Sequence, residues 1–349
     1  MLKHLRPRTR YRLLLFVVLW LVSMLSGLLY GLLFLPDGIG PWVILDEVAL
    51  GGAIVWGFLL FVLPSRYGRP IRWLAFPVRL VVIVVFILAM IPLTVAVIDL
   101  VDPATEGILS PPPTLSVYLF ALAVVALAAL GVEVARMIGP RVLGSVLIGR
   151  YQSPVEEHRV FLFVDLVGST QIAQRLGPVR YQRLLCRYFF DLGEPVLEAG
   201  GELYAYVGDG MIVSWRLRPG DARPVTCFFD IQDTLDRTRR RYAQVFGAEP
   251  QVRGALHGGA VVAAACGDAR RAIVYFGETL NAAARLEEQA KRQERELVAV
   301  ADFASSLDLP TDIAVEPLGP AILRGLEGQT ELVAFSRPEK KEAPQVDAA

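Results

Sequence analysis

Histidine and cysteine are scarce in this chain of 349 residues, with three of each. His4, His158 and His257 are too few and too far apart to build a multi-histidine metal centre. Cys186, Cys227 and Cys266 are odd in number, widely separated and match no zinc-ligand spacing. They exclude a disulfide framework and predict buried thiols in a reducing compartment. Net charge is absent too: 35 Lys and Arg cancel 35 Asp and Glu, which argues against a dedicated nucleic-acid binder. Charged residues reach only 20% while hydrophobic residues reach 54%, so the chain as a whole is not disordered. A mean hydropathy of +0.46 is instead too apolar for an ordinary soluble protein. At roughly 150 residues per domain, the length suggests two units, a membrane part joined to a cytosolic one.

The apolar excess lies almost wholly before residue 139, in uncharged runs over 13–35, 48–63, 80–98 and 114–132. A spanning helix needs about 20 apolar residues, or about 17 at the short end. The first, third and fourth runs meet that length outright. The second meets it if residues 42–45 and the pair Asp46/Glu47 lie at the interface. The first run is too long for a cleaved signal peptide and no small-x-small site follows it. Four transmembrane helices are therefore predicted, with Pro92 expected to kink the third. Asp46, Glu47 and Glu133 sit near span ends and read as interfacial acids rather than a transport path.

Basic residues alternate along the connections. Lys3, Arg6, Arg8, Arg10 and Arg12 precede the first run, whereas 36–41 carries Asp37 and no base. Arg66, Arg69, Arg72 and Arg79 follow the second run, and Asp99, Asp102 and Glu106 follow the third without a base. Arg136, Arg141 and Arg150 come after the fourth. Lys and Arg favour the cytoplasmic side, so both termini are expected there, with the chain embedded in the lipid bilayer of the cell's inner (plasma) membrane.

From Arg141 the pattern becomes that of a soluble α/β domain. The expected divisions are a four-helix membrane domain over 1–138, a cytoplasmic linker over 139–158, a soluble α/β domain over 159–336 and a disordered tail over 337–349. An apolar strand over 159–165 (RVFLFVD) ends on an acid. Gly168, Ser169 and Thr170 then open a helix, Gly turning the chain and Ser or Thr capping it. A helix over 181–199 closes at Gly200 and Gly201. Strands over 202–207 and 211–215 meet through Gly208, Asp209 and Gly210, a strong hairpin signal. A helix over 227–246 follows, then a strand pair over 252–257 and 260–266 across Gly258 and Gly259. An Ala-rich helix over 279–291 and short strands over 297–300, 322–323 and 332–335 complete the pattern. Strand-helix-strand-strand-helix-strand is the ferredoxin-like order. The fold class is thus an N-terminal α-helical membrane domain plus a C-terminal α+β, ferredoxin-like domain.

Two acids carry chemistry because each sits where an apolar strand meets a Gly-containing turn. Asp165 ends the first strand and Asp209 tips the next hairpin. In a βαββ unit that strand lies beside the hairpin, so the carboxylates converge. Two carboxylates plus phosphate oxygens are a usual way to hold Mg²⁺ in phosphoryl chemistry. The backbone N–H groups of Val167, Gly168, Ser169 and Thr170, at a helix start, would receive a polyphosphate. Either acid alone reads equally well as a cap or a turn residue; only the pair in this order points to a cation. Asn281 and Arg285 are four apart and share one helix face among alanines. An amide and a guanidinium there suit orienting a ribose and neutralising charge on a phosphate, though by themselves they also fit an ordinary exposed face.

The segment from about Arg159 to Phe335 resembles the catalytic domain of class III nucleotidyl cyclases, the adenylate/guanylate cyclase family. FVDLVGST (163–170), GGELYAYVGDGMIVSW (200–215), GALHGGAVVAAACGD (254–268), YFGETLNAAARLE (275–287) and LRG (323–325) carry the resemblance, in the family's order. It implies that the ferredoxin-like domain is of palm type. It also implies a homodimer with sites at the interface and two divalent ions, Mg²⁺ or Mn²⁺, held by Asp165 and Asp209 with Leu166 as the adjoining metal position. Asn281 and Arg285 of the other subunit would steady the ribose and the transition-state phosphate, and Arg324 would join 167–170 in binding phosphate. The implied reaction is attack of the ribose 3′-hydroxyl of ATP, with GTP the alternative substrate, on the α-phosphorus. It yields the cyclic nucleotide and pyrophosphate.

The sequence departs from the family pattern mainly where the base is read. Ala205 stands where a Lys is expected four residues before the second metal Asp, and Val274 where Asp or Thr is usual. Glu278 replaces the commoner Asp, and Leu326 takes the place of a Lys. Apolar side chains cannot hydrogen-bond a purine edge, and an apolar pocket discriminates weakly. A membrane-anchored adenylate cyclase is the leading expectation. The alternative is a degenerate cyclase-homology domain that binds nucleotide, or only dimerises, as a signalling module.

Overall fold

A helix satisfies its backbone polar groups within its own segment, and the long apolar runs of the N-terminal part, Val-rich ones included, are helical. The computed structural model describes residues 7–34, 44–63, 67, 70–71, 74–101, 115–138, 149–267, 272–323 and 329–337. It divides into two units, Met1–Ile138 and Gly139–Ala349. In the first lie α1 (Pro7–Phe34), α2 (Leu45–Gly57, prolonged by a π-helical turn Phe58–Val62), α3 (Phe76–Val101) and α4 (Leu115–Ile138). Each holds a stretch long and apolar enough to cross a membrane: Arg12–Phe34, Leu45–Val62, Val81–Ile98 and Leu115–Val132. Asp46 and Glu47 fall in the first turn of α2, where acids complement the positive helix end. Gly27 lets α1 and α2 close up, since a Cβ there would meet Val48 Cγ2 at 2.7 Å. Across the same contact Trp56 Nε1 donates to Ser23 Oγ (2.9 Å) and Trp20 Nε1 to the Ala49 carbonyl (2.8 Å), so neither indole is left unpaired in an apolar setting.

The second unit is one mixed sheet with helices packed on it. Its elements are β1 (Val155–Leu166), α5 (Ser169–Leu176), α6 (Pro178–Glu198), β2 (Glu202–Val207), β3 (Gly210–Arg216), α7 (Arg223–Phe246), β4 (Val252–Cys266) and β5 (Ala272–Phe276). They continue with α8 (Glu278–Arg292), β6 (Leu297–Val300), α9 (Ala301–Ser305), β7 (Ala314–Ile322) and β8 (Gln329–Ser336). The strand order is β2-β3-β1-β4-β6-β8-β7, with β5 pairing β4. Its β2-β3-β1-β4 portion, antiparallel throughout, is the order that a ferredoxin-like unit requires. Residues 160–164 of β1 read as an unbroken apolar run because both faces of the strand are covered there. Val160, Leu162 and Val164 enter the larger core with α6 and α7, whereas Phe161 and Phe163 enter a second cluster with Ile212, Tyr275 and Ala283.

Several expectations are corrected. β4 is one strand, not a hairpin at Gly258 and Gly259, because neither glycine takes a positive φ. Both are there for close approach: a Cβ at Gly258 would lie 2.4 Å from the Phe303 ring, and one at Gly259 2.6 Å from Thr279 Oγ1. The true partner of the second half of β4 is β5, which the sequence pattern did not reveal. β1 starts at Val155 rather than 159, since Val155 to His158 pair with Ala263 to Ala260. The helix expected over 181–199 begins at Pro178 and is set off from α5 by Gly177 (φ +72°). Of the three thiols only Cys227 is fully buried; Cys186 is exposed.

Candidate active site

The two acids meet through strand register. Val164 of β1 pairs with Met211 of β3, so Asp165 continues β1 alongside the turn that carries Asp209. Gly208 (φ +63°) makes that turn. Gly210 keeps it tight: a Cβ there would lie 3.3 Å from the Val164 carbonyl and 3.6 Å from Asp165 Oδ1. Asp209 Oδ2 is shielded from solvent and has no hydrogen-bond partner among the described residues. Asp165 Oδ2 pairs with Lys291 Nζ at 2.8 Å. Burial above all, and then the nearby charge of Asp209, raise the Asp165 carboxyl above its usual range and outweigh the pull of Lys291. Lys291 also lies 2.9 Å from Glu287 Oε1. Burial opposes its charge, but Asp165 and Glu287 outweigh that and hold its proton more firmly than usual.

Beneath the acids are two phenols from α6. Tyr188 is fully buried and its hydroxyl has no hydrogen-bond partner among the described residues; burial, then Asp165 and Asp209, push its pKa well up. Tyr181 is raised by burial and by the same two acids, and it shares a hydrogen bond with Ser169.

These donors fit a hard divalent cation: two converging carboxylates, one with a shielded oxygen that no group among the described residues satisfies. Among the described residues no set of three or more His, Cys, Asp or Glu side chains could hold a metal ion. A cation held by these two acids would need phosphate, backbone or water oxygens to complete its shell, as is usual for Mg²⁺. The Leu166 side chain is buried in the core, so only its backbone could contribute.

Next to the acids, Gly168 (φ +66°) starts α5. The Val167 N–H is donated to the Gln251 carbonyl at 2.9 Å, which removes it from the expected phosphate cradle and leaves Gly168, Ser169 and Thr170 to form it. Asn281 and Arg285 lie on α8 as predicted, Asn281 exposed and Arg285 Nη1 donating to Glu288 Oε1 at 2.6 Å. Among the described residues no hydrogen bond or ion pair joins either to Asp165 or Asp209. Within one chain α8 reaches Asp165 through Lys291, not through a hydrogen bond or ion pair from Asn281 or Arg285 among the described residues. Arg324 and Leu326 lie outside the described residues.

Ala205 and Val274 are both half-buried, on β2 and β5. Their neighbours Tyr204 and Tyr275 lie tilted to one another at 5.1 Å between ring centres, each also edge-on to Phe161. Sequence reasoning missed Lys291, Glu287, Tyr181 and Tyr188. Glu287 and Lys291 carry an i,i+4 signal on one helix face, but no local spacing ties them to Asp165.

The fold and site together define a palm-type α+β domain that gathers two carboxylates beside a helix N-terminus, an arrangement suited to a cation and phosphate. Residues 152–336 match the family model described as the adenylate and guanylate cyclase catalytic domain, and the chain belongs to that family. It is 38% identical over 215 residues to Adenylate cyclase 2 of Rhizobium meliloti. That match covers 61% of this chain and spans 59% of the relative's length. Among solved structures, a bacterial light-regulated adenylyl cyclase aligns with a TM-score of 0.55 at 17% identity, over 65% of this chain and 66% of that one, a likeness of fold. The adenylyl cyclase CyaB from P. aeruginosa aligns with a TM-score of 0.48 at 18% identity, over 54% of this chain and 98% of that one.

Proposed function

We propose that the protein is a membrane-anchored adenylate cyclase that converts ATP to 3′,5′-cyclic AMP and pyrophosphate at a homodimer interface. The observation that carries this reading is the shielded, unpartnered oxygen of Asp209 beside Asp165, at the mouth of a glycine-started helix. Divalent ions, Mg²⁺ or Mn²⁺, two per site, would be held by Asp165 and Asp209 and supply positive charge to the phosphates and the attacking oxygen. The N–H groups of Gly168, Ser169 and Thr170 bind phosphate oxygens at the positive end of α5. Asn281 and Arg285 make no hydrogen bond or ion pair with the acids of their own chain among the described residues, which leaves them available to the site of the partner subunit. There Asn281 orients the ribose and Arg285 neutralises charge growing on the phosphate. The 3′-oxygen forms its bond to the α-phosphorus, the bond to pyrophosphate breaks, and the hydroxyl proton is lost to solvent.

The relative's name favours ATP over GTP. The basic residues flanking the four apolar helices favour a cytoplasmic catalytic domain, where ATP is available. The test is cyclic nucleotide formation by the full-length protein with ATP or GTP and Mn²⁺. Asp165→Asn and Asp209→Asn should each abolish turnover while the thermal transition is retained. Near-normal activity of either variant at saturating Mn²⁺ refutes the assignment.

A further inference from the structure

α8 faces two ways. At 3.6 residues per turn, Asn281 and Arg285 lie about 40° apart on one side of the helix, and Lys291 is about 80° from Asn281 and about 120° from Arg285. The helix is held close to β4 by small residues: Ala282, Ala283 and Ala290 are fully buried, and Thr279 Oγ1 donates to the Ala260 carbonyl at 2.8 Å. The start of β4 pairs with the end of β1, Arg253 opposite Asp165, so the last turn of α8 reaches the acids of its own chain. Lys291 Nζ lies 2.8 Å from Asp165 Oδ2 and 2.9 Å from Glu287 Oε1, the latter one turn earlier on α8. Glu287 thus orients the ammonium toward Asp165.

We propose that Lys291 is a positioning residue that competes with divalent cations for Asp165 and so sets the metal affinity of the nucleotide-free protein. The inference rests on the reading of Asp165 and Asp209 as metal ligands. A fixed ammonium in contact with a ligand carboxylate shares that oxygen's charge and repels a second cation. Bare ions therefore bind weakly, and the negative charge of a polyphosphate is what tips the site toward loading. Arg285 and Asn281 do not share this role, because among the described residues neither makes a hydrogen bond or ion pair with either acid.

The experiment is Mn²⁺ binding to the full-length protein in detergent without nucleotide, read from the electron paramagnetic resonance signal of free Mn²⁺. Lys291→Met should tighten Mn²⁺ binding about tenfold, the scale of one partly exposed charge interaction acting on a divalent ion. Lys291→Gln should do the same, and Lys291→Arg should stay near the wild-type affinity. A purely structural role predicts the opposite sign, with looser binding in Lys291→Met and Lys291→Gln. Unchanged or weaker binding in both variants, with the thermal transition retained, overturns the proposal. Asp209→Asn separates the two layers: it should weaken Mn²⁺ binding strongly in the wild-type background. If it does not, the metal reading itself fails; if it does while Lys291→Met fails to tighten binding, only the role of Lys291 is refuted.

Discussion

Replacing Arg159 by Met should destabilise the cyclase domain without touching the acids. Arg159 is 2% exposed on β1 and donates to Glu157 Oε2 (2.8 Å), Glu202 Oε2 (2.9 Å) and Ser214 Oγ (3.1 Å). Its guanidinium also lies 4.8 Å from the centre of the Tyr275 ring. Met keeps much of the volume but leaves the carboxylates and the buried Ser214 hydroxyl without that donor. Breaking a buried pair on one side costs about 3–5 kcal/mol. The low end applies here, because Glu157 keeps Arg150 (2.9 Å) and Tyr151 (3.0 Å), and Glu202 can turn toward water. About 3 kcal/mol at about 2–4 °C per kcal/mol for a domain of this size gives a fall in Tm of about 6–12 °C. Differential scanning calorimetry of the full-length protein in detergent measures it. The acid limb supplies a second reading. Burial opposes the charge of Glu157, but its hydrogen bonds from Arg159 and Tyr151 and the nearby charge of Arg150 hold its carboxyl below the usual range. That stability is present above the ordinary glutamate pKa and is lost as pH falls through the lower folded value. The variant should therefore show a shallower acid loss. A Tm change under about 2 °C would mean the network contributes little net stability, and the argument from buried unpaired charge would be wrong.

If the site is shared between subunits, inactive Asp165→Asn and inactive Arg285→Ala should complement each other when mixed, restoring up to one working site per heterodimer; no rescue from demonstrated heterodimers counts against sharing. Ala205→Lys, alone or with Val274→Thr, should lower KM for ATP and widen the ATP/GTP gap by about 1–3 kcal/mol if a buried polar contact is gained, with kcat less affected. A native protein that already separates ATP from GTP by several orders of magnitude would refute that reasoning. Burial lowers His257 from 6.5 to about 4, so the folded state binds fewer protons there. Its contribution is present above about pH 6.5 and is lost as pH falls toward 4, and His257→Gln should flatten that part of a stability–pH curve. A reporter fused after Phe335 should be active in the cytoplasm; activity only outside it would overturn both the orientation and access to ATP.

The local features of this protein follow from its sequence alone. Three uncharged runs of spanning length and a shorter fourth are each expected to be helical, and the four apolar helices appear at nearly the expected limits. The apolar run of β1 ending on Asp165, and the glycines around Asp209, are short-range signals of a strand end and a tight turn, and both are found where expected. Gly258 and Gly259 were not legible in the same way. Glycine serves a turn or a close approach equally well, and only the positions of Phe303 and Thr279, some 45 and 20 residues downstream, decide between them. The same holds for Val167, whose N–H is claimed by Gln251 across the sheet. Lys291 looks like any basic residue in the last turn of a helix, 126 positions from Asp165 in the chain. What joins them is the antiparallel pairing of β1 with β4 and the close seat of α8 on β4, both products of packing between distant segments. Periodicity and turn chemistry act over a few residues and can be read along a chain; which oxygen a given cation reaches is set only when the sheet order and helix packing are complete.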